Sequence, residues 1–211
     1  DMVIVEEKVD GSQFSFKWEH GELTCRSKGK DQSPGQTDNL FVRAVESIAQ
    51  LPALMEGWTY RGEFLAKPKH NALAYDRVPN GHVVIFDIDT GEENYLKPSD
   101  KAAECARLGL ECVPMLYYGK VENWEFLKKF LDQESFLGGP KIEGFVIKNY
   151  ARFGLDKKAL MGKFVSEAFK EVHSREWKNS NPGGRDVVGN LGEIYRHENR
   201  WLKAIQHVRD T

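Results

Sequence analysis

The chain has 211 residues, enough to bury one good core, so one domain with a short appendage is the natural count. Its formal net charge of −2 offers no long-range attraction for nucleic acid, so any such contact must come from local basic patches. The three cysteines, Cys25, Cys105 and Cys112, are odd in number and lack metal-site spacing, and no run of eighteen apolar residues or signal-like start occurs. These features predict a soluble protein of a reducing, cytoplasmic compartment.

The chain opens on strand-like sequence with no methionine at position 1, which reads as a fragment or a processed start. Period-two alternation predicts strands over Val3–Lys8, Gln13–Glu19 and Glu22–Ser27. A helix is predicted over Asp38–Leu51, where Phe41, Val45, Ile48 and Leu51 share one face and Pro52 ends the run. Strands at Thr59–Ala66 and His82–Asp87 follow. Ser99 is then a candidate N-cap for a helix that stops at Gly109. Further elements are a strand at Cys112–Tyr118, a helix at Val121–Leu131 and a strand at Gly144–Lys148. The stretch from Asn179 to Arg185 is polar and rich in Gly and Pro, a linker or loop. After it, Leu191, Ile194, Tyr195, Leu202 and Ile205 suggest one or two closing helices. No internal repeat is present, and the pattern is mixed α+β.

The chemistry-bearing residues fall at the ends of these elements. Lys8-Val9-Asp10-Gly11 closes the first strand, and a lysine there can act as a covalent nucleophile if its amine is held uncharged and aimed at a phosphate. Gly11 permits a tight strand-to-strand turn and a close backbone approach. Arg26, Lys28 and Lys30 place three cations in five residues, a solvated hairpin tip or a phosphate contact. Glu63 is an acid inside an aromatic strand, where a carboxylate must be paired or bind something. Phe86 precedes Asp87 at a strand end; as a lone aromatic it is more often core, but it also suits stacking on a purine. Glu143 begins a strand beside Gly144, and Lys163 stands between apolar residues, unusual for a surface cation.

In this order the segments resemble the covalent nucleotidyltransferase superfamily of polynucleotide ligases and mRNA-capping enzymes, over roughly residues 3 to 171. Gln13, an uncharged amide five places after the lysine, and Ser135-Phe136-Leu137-Gly138-Gly139-Pro140-Lys141-Ile142-Glu143-Gly144 resemble the ATP-dependent RNA ligases of the phage RNA-ligase-2 type. The resemblance implies a nucleotidyltransferase (ATP-grasp-like ligase) fold of antiparallel sheets flanked by helices, with the nucleotide site between them. It implies an adenylation domain over 1–171 and a C-terminal helical segment over 172–211, the start of a further domain. By resemblance, Lys8 attacks the α-phosphate of ATP, expels pyrophosphate and holds AMP, while Glu7 sits beside the adenine through its backbone. Gln13 and Arg26 handle phosphate and the RNA end, Glu63 binds ribose and Phe86 stacks on adenine. Glu143 supports lysine and a Mg²⁺ or Mn²⁺ ion, mostly through water, and Lys163 neutralises the α-phosphate. The partners implied are RNA ends, including nicked duplex RNA, met by a monomer away from membranes.

Two departures stand out: the usual asparagine is Gln13, and the first position of the K-x-K closing motif is Met161, for which Lys157 or Lys158 could substitute. A lysine amine ordinarily titrates near ~10.4, so a nucleophile at position 8 needs partial burial and a neighbouring cation such as Lys163. Asp10 and Glu143 are expected as its electrostatic partners. Other readings of the same residues are a DNA ligase, a capping guanylyltransferase and a non-catalytic nucleic-acid-binding module. The polar loop from Lys67 to Arg77 reads equally as an exposed connection or as a contact for RNA or triphosphate. Ligases of the resembled type usually carry more sequence at both ends, so self-adenylation with poor sealing is expected of this chain.

Overall fold

The alternating sequence of the first third folds into strands that belong to two different sheets. A computed structural model of the chain describes residues 1–171 and 173. The strands are β1 (Met2–Lys8), β2 (Ser12–Glu19), β3 (Glu22–Ser27), β4 (Lys30–Asp31), β5 (Thr59–Phe64), β6 (Val83–Asp89), β7 (Glu111–Cys112), β8 (Met115–Lys120), β9 (Gly144–Phe153) and β10 (Ala159–Val165). The helices are α1 (Val42–Ala49), α2 (Pro98–Leu108) and α3 (Trp124–Lys128). One sheet has the order β10-β9-β1-β8 and the other β4-β3-β2-β5-β6-β7. All pairings are antiparallel except β6 with β7, so the expected α+β class with antiparallel sheets is what the chain adopts.

The larger sheet buries one face. Phe14, Phe16, Tyr60, Phe64 and Ile85 point from it onto Phe41 and Ile48 of the α1 region and onto Cys105 and Leu108 of α2. Phe16 and Tyr60 stack with ring centroids 4.9 Å apart. Each such side chain contributes about 1.5–3 kcal/mol by leaving water. The smaller sheet buries Val5 and Phe145 under Leu127 and Phe130. Its other face carries Ile4, Glu6 and Lys8, which alternate with Val5 and Glu7 along β1. Where that face meets the larger sheet, Lys148 of β9 contacts Asp87 and the Phe86 carbonyl of β6.

Several boundaries move for identifiable reasons. The helix expected over Asp38–Leu51 begins at Val42 because Asp38 is engaged with Gln32: its N–H donates to Gln32 Oε1 and its carboxylate accepts from Gln32 Nε2, both at 2.8 Å. Ser99 is not the N-cap of α2. Lys97 occupies that position and Pro98 the first turn, where its missing N–H costs nothing; Gly109 ends the helix with φ 71° as expected. The helix expected from Val121 starts at Trp124, where Asn123 Oδ1 accepts from the Phe126 N–H at 2.9 Å. The single strand expected at Cys112–Tyr118 is two, because Val113-Pro114 carries the chain from one sheet to the other. β10, which carries the closing lysine, is not among the strands that alternation predicts, because four of its seven residues in succession are exposed. The expected loop at 179–185, the closing helices and the segment 172–211 lie, His173 apart, outside the described residues.

Candidate active site

Lys8 ends β1, where it pairs in register with Gly144. That pairing brings Glu143, 135 residues away in sequence, against the lysine: the Lys8 amine donates to both Glu143 oxygens, at 2.5 and 2.6 Å. The lysine side chain keeps 24% of its exposure and the glutamate 5%, so the amine reaches solvent while its partner is buried. Gly144 is required there, since a Cβ would lie 1.9 Å from the Phe164 carbonyl. Burial raises the Glu143 pKa above the ordinary carboxylate range against the opposing pull of Lys8. Gly11 likewise answers a close approach, because a Cβ would come within 2.6 Å of the Phe64 carbonyl on β5.

The second wall comes from the larger sheet. Glu63 lies opposite Gln13, and Arg26 opposite Ser15, so Gln13, Arg26 and Glu63 share one face. Gln13 and Arg26 are exposed. Burial pushes Glu63 up to about 7, opposed by the positive charge of Lys8 and reinforced by the negative charge of Glu143. Phe86 is half-buried and packs at the edge of the cluster of Val9, Leu65, Tyr75, Val84, Val113 and Leu137. The two sheets thus bring Lys8, Glu143 and Glu63 within electrostatic reach of one another.

Lys163 is exposed on β10 opposite Val146, and its charge is felt at Glu143. Lys157 and Lys158 lie in the β9–β10 turn, about seven residues from the Lys8–Gly144 level, on the order of 20 Å along a strand. Neither takes the position of the missing lysine. Met161 pairs instead with Lys148, so a cation does stand beside it.

One buried group matters here that the sequence left unassigned, and two assigned acids are engaged in other ways. Glu6, Asp87, Lys101 and Lys148 are each 3% exposed or less. Glu6 accepts from Lys101 and Lys148, both at 2.6 Å; Lys148 also donates to Asp87 at 2.8 Å, and both amines donate to the Phe86 carbonyl. Burial works to lower the Lys148 pKa, but Asp87 and Glu6 outweigh it and hold the amine above its ordinary value. A sequence signal existed: Lys101 precedes Cys105 and Leu108 at the spacing of the buried face of α2. Glu7 turns to the opposite side of β1, where Ser135 Oγ donates to it at 2.5 Å and the Phe136 N–H at 3.1 Å, while burial raises its pKa. Its own N–H donates to the Pro114 carbonyl at 3.2 Å. Asp10, expected as a bare electrostatic partner, adds its negative charge to the field at Glu63 and Glu143 but spends its carboxylate on the N–H groups of Ala72 and Leu73, each at 2.8 Å.

Among the described residues no cluster of three or more His, Cys, Asp or Glu is placed to hold a metal ion directly. The two carboxylates within electrostatic reach of Lys8, Glu143 and Glu63, fit an ion held largely by water and by the phosphates of a nucleotide.

A half-buried lysine at a strand end, gripped by the glutamate that leads into the neighbouring strand β9, fits a covalent nucleotidyltransferase. The model of the family described as RNA ligase matches residues 1–165. The chain belongs to the RNA ligase family. Among solved structures it is similar to the Naegleria gruberi RNA ligase with PPi, at TM-score 0.58 and 18% identity over 82% of this chain and 52% of that one. Variants of that ligase match comparably: one with AMP and Mn at TM-score 0.59 and 19% identity, covering 82% and 52%, and one with ATP and Mn at 0.56 and 17%, covering 82% and 51%. The chain spans about half the length of these ligases. A comparison with curated proteins returns no match.

Proposed function

We propose that this chain carries the adenylating chemistry of an ATP-dependent RNA ligase, with Lys8 as the nucleophile. The observation that carries the reading is the partly exposed Lys8 amine at the strand end, held by both oxygens of Glu143, with Glu63 close enough to feel its charge. The Lys8 ammonium gives one proton to solvent, Nζ attacks the α-phosphorus of ATP, the P–N bond forms as the bond to pyrophosphate breaks, and the P-bound nitrogen gives its second proton to solvent. Glu143 holds the amine in line; Phe86 offers a face for the adenine and Glu63 acceptors for the ribose hydroxyls. Gln13 and Arg26, on the same exposed face, meet phosphate and the RNA 5′ end, and Lys163 neutralises charge at the α-phosphate. Mg²⁺ or Mn²⁺, held through water by Glu143, supplies neutralisation of the triphosphate when bound. The adenylate then passes to an RNA 5′-phosphate, and an RNA 3′-OH displaces AMP to seal the strand.

We read the protein as a monomer, and its setting as reducing and cytoplasmic on the strength of its odd cysteine count. Among the described residues no helix is long and apolar enough to cross a membrane.

The test is incubation with ATP labelled at its α-phosphorus and Mg²⁺, then denaturing electrophoresis. An acid-labile label on the wild type is expected. Lys8→Arg keeps the charge and removes the nucleophile, so it should take no label while its circular dichroism is unchanged. Undiminished labelling of Lys8→Arg would sink the assignment, and labelling by GTP in preference to ATP would favour a capping enzyme.

A further inference from the structure

The loop between β5 and β6 is bound along its length to the turn that follows Lys8. The Asp10 carboxylate accepts from Ala72 and Leu73, and the Asp10 N–H donates to the Tyr75 hydroxyl at 2.7 Å. Asn71 Nδ2 donates to the Gly11 carbonyl at 2.7 Å. Ser12 Oγ meets His70 Nε2 at 2.9 Å, while His70 Nδ1 accepts from the Ala66 N–H at 3.0 Å. Since Nδ1 accepts, the ring proton of neutral His70 lies on Nε2 and is donated to Ser12. Asp10, Gly11 and Ser12 are therefore each tied to the one segment His70–Tyr75.

The position of these ties along the chain gives them meaning. The ladder of β1 with β9 ends at the Lys8–Gly144 pair, so no sheet hydrogen bond from β9 holds Val9 to Gly11. The segment takes over where the sheet stops. It is itself anchored: Tyr75 is 4% exposed and packs with Val9 and Leu65 in the cluster that Phe86 joins.

We propose that His70–Tyr75 is a strap that sets the position of Lys8 for attack, with Tyr75 and Asn71 as positioning residues that touch neither nucleotide nor RNA. This rests on Lys8 being the nucleophile. The strap holds the main chain two and three residues beyond Lys8, and a displacement of about 1 Å at a reacting centre can cost on the order of a hundredfold in rate. Its loss therefore lowers the rate of lysine adenylation at saturating ATP and leaves ATP binding alone.

The experiment is single-turnover labelling of the 211-residue chain with α-labelled ATP and Mg²⁺ over a range of ATP concentrations, for wild type, Tyr75→Phe and Asn71→Ala. Tyr75→Phe keeps the buried ring and removes only the acceptor for the Asp10 N–H; Asn71→Ala acts at an exposed residue and guards against a fold defect in the first variant. The expected result is a maximal rate lower by about tenfold for Tyr75→Phe and a few-fold for Asn71→Ala, with half-saturating ATP within twofold of wild type. Equal maximal rates in all three proteins, or a loss confined to ATP affinity, would overturn the strap. A wild type that takes no label would refute the nucleophile itself, a result distinct from the other two.

Discussion

The buried group of Glu6, Asp87, Lys101 and Lys148 makes a quantitative prediction. Its two acids and two amines balance, and none is more than 3% exposed. Lys101→Met leaves Lys148 facing two carboxylates, one uncompensated negative charge in the interior, and deprives the Phe86 carbonyl of one donor. Removing one partner of a buried pair costs about 3–5 kcal/mol. For a domain of this size each kcal/mol lowers Tm by roughly 2–4 °C, so Lys101→Met should melt on the order of 10 °C below wild type. Adding Glu6→Gln removes the extra negative charge and leaves Lys148 with Asp87. The double variant should therefore recover a good part of the loss, which additive independent effects would not allow. Thermal melting by circular dichroism at low and high salt is the assay, because a buried pair is screened far less than a surface one. A double variant less stable than Lys101→Met, or a Lys101→Met loss below about 1 kcal/mol, would refute the charge-balance reasoning.

Phe86→Ala should raise the ATP concentration needed for labelling by about the 1–3 kcal/mol of one stacking contact, and Phe86→Tyr should be tolerated; unfolding of Phe86→Ala without a specific effect on ATP would mark the ring as core. Glu63 has its pKa raised by burial to about 7 in the fold, against about 4.3 in the unfolded chain. Protonated Glu63 thus stabilises the fold at acid pH, and that contribution is lost as pH rises through about 7. Glu63→Gln should accordingly gain stability relative to wild type between pH 5 and 8, by up to roughly 3 kcal/mol, and a Tm difference constant across that range would contradict it. The chain should seal pre-adenylated nicked RNA slowly, since its net charge of −2 adds little attraction for phosphate; sealing as fast as it adenylates itself would show the opposite.

What the sequence determined by itself is most of the local structure and the candidates for the site. Phe14 and Phe16 alternate with Gln13 and Ser15, and a strand with that period can bury only one face, so β1 to β3 and the strand turn after Lys8 were legible. Gly109 could be read as a helix stop because a left-handed φ is nearly free only for glycine. The tertiary structure alone decided which of these residues meet. Glu143 reaches Lys8 only through the β1–β9 register, and a shift of one residue would turn it to the other face. Lys101 lies on the buried face of α2 by its spacing but meets Glu6 only when that helix packs against β6, and Asp10 looks like a partner of Lys8 until the β5–β6 loop claims its carboxylate. Alternation misses β10 because an edge strand with successive exposed residues is held by backbone hydrogen bonds, which leave no period in the side chains.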